Sequence, residues 1–172
     1  MKVYFFQISD KTEINKENLP KSVLEHCKKT ESFAAAEALI QMGAENLRYG
    51  EKNKPIADNC YVSISHSGNM VAVCTSEKPI GIDIEKIDYE RDIGKIAKRF
   101  YLGKELETFN STPTPEVFFG IWTKKEAYSK IGGEGVGEVF KGFDVFDLED
   151  YDFQTEEING YMLSVCEKIK GC

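Results

Sequence analysis

The stretch PIGIDIEKI at residues 79–87 constrains the fold most, because it is an apolar strand that carries two carboxylates. Side chains alternate between the two faces of a strand, so Ile80, Ile82 and Ile84 share one face and Asp83 and Glu85 share the other. Two carboxylates this close repel each other, and their burial without a partner is unfavourable. Either this face is solvated, or a hard divalent cation such as Mg²⁺ neutralises the pair.

A second acidic position lies in WTKKEAYSK at residues 122–130. Glu126 and Lys130 are four residues apart, so a helix places them on one face, one turn from each other. Such a pair is commonly a surface ion pair of little energetic weight. Trp122, the only tryptophan of the chain, lies on the same stripe. Since a tryptophan is rarely fully exposed, we expect Glu126 near the edge of the core.

Two further segments contain residues that suit an anionic ligand. In SISHSG, His66 lies between a predicted strand and the Gly68 turn, where it is either a structural hydrogen-bonding group or a phosphate contact, because Mg²⁺ does not favour imidazole. In YGEKNKP, the basic loop around Lys54 either contacts a phosphate or base or is an ordinary solvated turn.

Composition excludes several classes of protein. The net charge of −7 argues against bulk nucleic-acid binding, and two histidines are too few for a multi-histidine metal site. The five cysteines form no C-x-x-C pair, which indicates free thiols. No apolar run is long enough for a membrane span, and the N-terminus lacks the features of a signal peptide. We therefore expect a cytoplasmic protein that binds neither membranes nor nucleic acid.

The periodicity of apolar residues predicts an α+β protein with antiparallel sheets. A helix begins near Thr30 or Ser32 and ends at Gly43, and the Gly68-Asn69 turn joins two strands. The predicted strands are 2–8, 61–67, 70–76, 79–87, 143–148 and 161–169, the other predicted helices are 92–101 and 116–130, and 132–137 is a predicted flexible loop.

In this order, YGEKNKP, ISHSG, GIDIEKI and WTKKEAYSK resemble the signatures of the 4′-phosphopantetheinyl transferase superfamily, Sfp type, over about residues 49–130. The chain is similar to a short member of that family. The resemblance implies the family fold, in which two similar α+β halves hold the active site in the cleft between them. We expect an N-terminal half, 1–76, on the nucleotide side of coenzyme A, and a C-terminal half, 77–172, with magnesium and catalysis, in one compact pseudo-dimeric unit.

The resemblance also implies an activity and a set of site residues. The activity is Mg²⁺-dependent transfer of the 4′-phosphopantetheine group of coenzyme A to a serine of an apo acyl or peptidyl carrier protein, with release of adenosine 3′,5′-bisphosphate. By motif match the magnesium ligands are Asp83, Glu85 and Glu126, and the catalytic residues are Glu126, Lys130 and Glu85. The residues expected to bind coenzyme A are Lys54, Pro55, Ser65, His66, Lys125 and Lys130. Glu105 matches an acidic position on the helix after the acidic strand.

Two alternatives remain open from the sequence. One is a non-catalytic relative that binds coenzyme A or a carrier protein, and the other is a Mg²⁺-dependent hydrolase of a nucleotide pyrophosphate. A transferase with both halves in one chain is expected to be a monomer. Its acidic carrier needs a local basic patch, for which the exposed face of Lys95, Lys98 and Arg99 is the candidate. Such a charge run is equally often a plain solvated face.

Overall fold

The structure is a computed structural model and describes residues 1–133 and 138–169. Within them the chain has an α+β architecture. Its strands are β1 Lys2–Gln7, β2 Arg48–Tyr49, β3 Pro55–Ile56, β4 Tyr61–Ser67, β5 Met70–Ser76, β6 Ile80–Lys86, β7 Tyr151–Ile158 and β8 Tyr161–Lys168. Its α-helices are α1 Lys21–His26, α2 Thr30–Gln41, α3 Ile93–Phe100, α4 Gly103–Ser111 and α5 Pro115–Gly132. Short 3-10 turns include Glu51–Asn53 and Val145–Asp147.

The first sheet has the antiparallel order β1-β5-β4, with Gly68 in the hairpin turn at a φ of 56°. The central strand β5 is buried along its whole length. Val71 and Val73 on one of its faces join a cluster with Ala35 and Leu39 of α2. Side chains alternate between the two faces of β5, and both faces are apolar. The hairpin is therefore covered by a helix on one face and by a second sheet on the other.

The second sheet has the antiparallel order β6-β8-β7 and is covered by α5. Helix α5 begins where the Thr114 side chain accepts a hydrogen bond from the Val117 N–H, with Pro115 in its first turn, and ends at Gly133, which has a φ of 73°. The helix lies so close to β6 that a Cβ on Gly81 would be 1.9 Å from the Ala127 carbonyl oxygen. This contact places the polar face of α5 directly over the acidic face of β6.

The two sheets pack face to face through apolar side chains of three strands. Met70, Ala72 and Cys74 of β5 lie in one cluster with the isoleucines of β6 and with Leu163 and Val165 of β8. The apolar face of the opening sequence stretch is therefore buried between the sheets, which leaves Asp83 and Glu85 on the side of α5.

Most predicted elements agree with the structure, and one is wrong. Residues 143–148 form no strand: the segment contains the 3-10 turn at Val145–Asp147, and the third strand of that sheet is β7. The backbone N–H groups of Val145 and Phe146 donate to the side chains of Glu105 and Asp144 rather than to a neighbouring strand. The predicted loop at 132–137 lies mostly outside the described residues. The division of the chain into halves at residue 76 stays a prediction.

Two further predictions concern the state of the cysteines and the presence of membrane-spanning helices. Cys27, Cys60, Cys74 and Cys166 are free thiols, as expected. Among the helices of residues 1–133 and 138–169, none has both the length and the apolar character needed to cross a membrane.

Candidate active site

Asp83 is the centre of a polar cluster between β6 and α5. Its carboxylate oxygen Oδ1 accepts hydrogen bonds from Lys130 Nζ at 2.8 Å and from Ser65 Oγ at 2.8 Å. Lys130 Nζ also donates to the Ile82 carbonyl at 3.0 Å. Asp83 is 3% exposed, and its second oxygen, Oδ2, is buried without a hydrogen-bond partner in the described part of the chain. A buried carboxylate oxygen without a partner is unfavourable, and it is a vacant acceptor in this cluster.

Two glutamates share this environment with Asp83. Burial, followed by the nearby Asp83 charge, raises the pKa of Glu126 to about 8, and Lys130 opposes the shift. Burial and Asp83 also raise the pKa of Glu85, whereas its hydrogen bond from Ser67 lowers it. Asp83 therefore makes the ionisation of both glutamates less favourable, an electrostatic effect that a bound cation would relieve.

The donor chemistry of this cluster suits a hard cation, because all three acidic side chains offer oxygen. As they stand in the structure, however, no three His, Cys, Asp or Glu side chains of residues 1–133 and 138–169 are arranged so that they could hold a metal ion. Lys130 Nζ lies against Asp83 in this arrangement. The fit to Mg²⁺ thus rests on the oxygen donors and on the vacant Asp83 Oδ2.

Strand β4 places its serines and its histidine on opposite faces. Ser65 and Ser67 face β6 and donate to Asp83 and Glu85 at 2.8 Å and 2.9 Å. His66, between them, is exposed and lies on the opposite face of the strand. Ser65 is thus at the acidic cluster, and His66 is available to a ligand only from the other side of β4.

A cavity of about 460 Å³ adjoins the acidic cluster. Its walls include Lys52, Lys54 and Pro55 from the loop before β4, and Lys130 and Gly133 from the end of α5. Lys54 Nζ donates to the Ile131 carbonyl, so this loop is tied to the C-terminal end of α5. Three lysines on one cavity make it suitable for an anionic ligand, and Lys130 belongs to both the cavity and the acidic cluster.

The loop that supplies these lysines has an unusual backbone. Lys52 and Asn53 have positive φ values of 54° and 63°. Asparagine adopts this region more readily than most residues, which explains how Asn53 can precede Lys54 in this turn. A second cavity, of about 530 Å³, shares Lys54, Pro55 and Val62 with the first and continues along β3.

Lys125 lies inside the core rather than on the cavity. Its Nζ donates to both carboxylate oxygens of Glu105, at 2.7 Å and 2.8 Å, and to the Phe143 carbonyl at 2.7 Å, and both side chains are 0% exposed. Burial lowers the pKa of Lys125 and raises that of Glu105, and their ion pair opposes both shifts. An enclosed ammonium group with three acceptors has no room for a phosphate, so this placement runs against the prediction that Lys125 lines coenzyme A.

Ser67 and Lys52 also belong to this site, and the sequence motifs did not predict them. Ser67 could have been found from the alternation of SISHS, which places it on the face of Ser65. Lys52 could not have been found in this way. Its direction depends on a left-handed backbone conformation, which a lysine in a sequence does not predict.

Comparison with known proteins identifies the family to which this chain is similar. The family model of the 4′-phosphopantetheinyl transferase superfamily matches residues 79–169, which include β6, α5 and the acidic cluster. The 4′-phosphopantetheinyl transferase HetI of Nostoc is 33% identical over 111 residues, which are 58% of this chain and 46% of that protein. Sfp of Bacillus subtilis is 31% identical over 136 residues, 69% of this chain and 59% of that protein.

A third relative, the 4′-phosphopantetheinyl transferase ffp of Bacillus subtilis, is 32% identical over 154 residues, 80% of this chain and 67% of that protein. For HetI and for two further curated 4′-phosphopantetheinyl transferases, from Bacillus subtilis and Aneurinibacillus migulanus, the chain spans about half the length of the relative. The family match covers more than half of the chain and includes the strand and the helix that form the acidic cluster. The chain belongs to the 4′-phosphopantetheinyl transferase superfamily.

Proposed function

We propose that this chain transfers the 4′-phosphopantetheine group of coenzyme A to a serine of an apo acyl or peptidyl carrier protein and releases adenosine 3′,5′-bisphosphate. The observation that supports this proposal is the double position of Lys130, in the lysine-lined cavity and on Asp83. A pyrophosphate in that cavity would lie beside the carboxylate cluster, which is the arrangement that a phosphoryl transfer needs.

Asp83, Glu85 and Glu126 are the proposed ligands of Mg²⁺. They fit the ion by their oxygen donors, by the vacant Asp83 Oδ2 and by the burial and the Asp83 charge that raise the pKa values of both glutamates. When bound, Mg²⁺ neutralises charge on the pyrophosphate and on the transferred phosphoryl group.

The proposed roles of the other residues follow from their positions. Lys54 and Pro55 line the cavity and bind coenzyme A, with Lys52 as an additional cation. Lys130 stabilises charge on the phosphate. Ser65 orients Asp83, and His66 contacts the coenzyme from the exposed face of β4. Lys125 holds Glu105 and thereby fixes α5 against α4, in place of the phosphate contact expected from its motif.

The proposed step is a nucleophilic displacement at the phosphorus on the pantetheine side of the pyrophosphate. The carrier serine oxygen forms the new P–O bond, and the bond from that phosphorus to the bridging oxygen breaks. Adenosine 3′,5′-bisphosphate leaves with the bridging oxygen, and a carboxylate of the cluster, Glu85 or Glu126, accepts the serine proton.

Intact-mass measurement of an apo carrier, incubated with the protein, coenzyme A and Mg²⁺, tests the proposal. We expect one phosphopantetheine addition per carrier, and a loss of at least ~100-fold in rate for Asp83→Asn, because the negative charge of the site's most buried carboxylate is removed. Release of adenosine 3′,5′-bisphosphate without a carrier would identify a hydrolase. Coenzyme binding with neither reaction would identify a binding relative.

The proposal extends to the oligomeric state and the location of the protein. Residues before β4 and residues of α5 line one cavity within a single chain, which supports a monomer. The substrates, coenzyme A and an apo carrier protein, support a cytoplasmic location. Sedimentation of the purified protein, alone and with coenzyme A, tests the monomer.

A further inference from the structure

Three serines of β4 form a ladder of hydrogen bonds to β6. Ser63, Ser65 and Ser67 are two residues apart and so lie on one face of the strand. Their hydroxyl oxygens accept from the backbone N–H groups of Ile82, Ile84 and Lys86, at 3.2 Å, 3.2 Å and 3.0 Å. These are alternate residues of β6, whose N–H groups point away from the partner strand β8. The ladder therefore joins the two sheets where no main-chain ladder connects them.

Two of the three hydroxyl groups also donate to an acidic side chain. Ser65 donates to Asp83 Oδ1 at 2.8 Å, and Ser67 donates to Glu85 Oε2 at 2.9 Å. A hydroxyl group has one proton, so the N–H bond fixes the position of the oxygen while the proton points to the carboxylate. At Ser63, the β6 residue that corresponds in position to Asp83 and Glu85 is Gly81, which has no side chain. The sequence thus contains the same backbone contact with and without a carboxylate.

The two acidic residues differ in how firmly they are held. Asp83 is buried and also accepts from Lys130. Glu85 is half-buried, and its carboxylate accepts a hydrogen bond from Ser67. A half-buried glutamate has several accessible rotamers, and the hydrogen bond from Ser67 favours the rotamer that accepts it. The orientation of Glu85 therefore depends on a residue of the other sheet.

We infer that Ser67 is a positioning residue, which orients the Glu85 carboxylate for a divalent cation. The inference rests on the proposed function, in which Glu85 is a ligand. Groups that orient a ligating carboxylate strongly influence metal affinity, and their loss typically weakens it by about 10- to 100-fold. The role of Ser63 is confined to the backbone of β6, since Gly81 offers nothing to orient.

The test compares Ser67→Ala, Ser67→Thr and Ser63→Ala by calorimetric titration with Mn²⁺ in the absence of coenzyme A. We expect Ser67→Ala to weaken Mn²⁺ binding about tenfold and Ser67→Thr to restore most of it, because threonine retains the hydroxyl group. Ser63→Ala removes an equivalent backbone contact and should change Mn²⁺ affinity less than twofold. The melting temperatures of the two alanine variants should fall by similar amounts, since each loses one backbone acceptor.

The outcomes separate this inference from the proposed function. Equal Mn²⁺ affinities of Ser67→Ala and the parent protein, or equal losses in Ser67→Ala and Ser63→Ala, would overturn the positioning role. So would a parent protein that binds no Mn²⁺. If Ser67→Ala alone weakens Mn²⁺ binding but the parent transfers nothing to a carrier, the positioning role stands and the proposed transferase activity fails.

Discussion

Among single residues, Glu126 determines how the candidate site responds to pH. Its pKa is raised from 4.5 to about 8, chiefly by burial and then by Asp83. The folded state therefore binds this proton more tightly than the unfolded chain, so the stability that it contributes is present at low pH and is lost as pH rises toward 8. We predict a falling melting temperature over this interval in the presence of a chelator, with Glu85 contributing in the same direction.

Glu126→Gln tests this assignment, because glutamine is neutral in both states. We expect the variant to lose most of the pH slope and, near pH 8, to melt about 5 °C above the parent protein in chelator. Glu107→Gln, a change of the same kind at an exposed position of α4, should leave the slope unchanged. A Glu126→Gln variant with the slope of the parent protein would show that another group titrates.

Local periodicity was sufficient to predict the residues at the centre of the site. The strand period sets Asp83 and Glu85 on one face, and the helix period sets Glu126 and Lys130 on one stripe. It was not sufficient for Lys125, which is adjacent to Glu126 in the sequence. The direction of Lys125 depends on Glu105, twenty residues earlier, and a tertiary contact of this kind leaves no mark in the spacing of either segment.

Among the secondary-structure elements, α5 and β6 are held together at Gly81. A methyl group there would be 1.9 Å from the Ala127 carbonyl oxygen, so the helix would have to move away from the strand. We predict that Gly81→Ala lowers the free energy of unfolding by about 3 kcal/mol. It should also lower transfer activity, because Glu126 and Lys130 move with the helix. Urea denaturation gives the first quantity, and a carrier assay on the folded fraction gives the second.

Gly94→Ala is the matched control. Gly94 lies within α3, and a Cβ there would meet nothing within 4 Å. Alanine favours a helix over glycine by up to about 1 kcal/mol, so this variant should be slightly more stable and, at saturating carrier, equally active. If Gly81→Ala resembled Gly94→Ala in both measurements, the close approach of α5 to β6 would not be required for either stability or activity.

The elements that the sequence predicted are those with a clear apolar period. β5 and β6 are buried and read as continuous or alternating apolar runs. β7 is an edge strand whose middle residues Gln154, Thr155 and Glu156 are exposed, so it has no such pattern. The segment at 143–148 alternates like a strand, yet its backbone is bonded to the side chains of Asp144 and Glu105. Hydrogen bonds to side-chain acceptors therefore determine its conformation. Asp144 lies at the start of the segment, and Glu105 lies in α4.

At the scale of the whole molecule, Lys54 joins the loop before β4 to the end of α5 across the cavity. A phosphate in the cavity would compete with the Ile131 carbonyl for this ammonium group. We predict that Lys54→Met raises the KM for coenzyme A about tenfold or more, the expected effect of a lost charged hydrogen bond. The Mg²⁺ concentration for half-maximal rate should stay unchanged. His66→Ala should act in the same direction.

A surface change of the same kind provides the control for the Lys54 variant. Lys11 is exposed and outside both cavities, so Lys11→Met should leave the KM for coenzyme A unaltered. Unchanged KM values for both Lys54→Met and His66→Ala would remove these residues from the coenzyme site. A changed Mg²⁺ requirement without a changed KM would instead assign Lys54 to the acidic cluster.

The net charge of −7 bears on how the protein meets an acidic carrier. Overall repulsion slows such an encounter unless a local basic patch offsets it. Helix α3 has the required surface: Ile96 and Phe100 pack against the aromatic core, while Lys95, Lys98 and Arg99 are exposed on the other side. Phe100 of α3 packs on Trp122 of α5, one turn before Glu126, so a carrier bound to α3 would lie beside the helix that carries Glu126.

Reversal of charge at Lys98 and Arg99 tests α3 as the docking surface. We predict that Lys98→Glu/Arg99→Glu lowers kcat/KM for the carrier about tenfold at low salt and less at high salt, because salt screens exposed charges. The KM for coenzyme A should not change. Lys11→Glu/Lys78→Glu alters the net charge by the same amount at other exposed sites and separates local docking from overall repulsion. Equal losses in the two double variants, or none in the first, would place the carrier elsewhere, because a docking patch acts through position as well as charge.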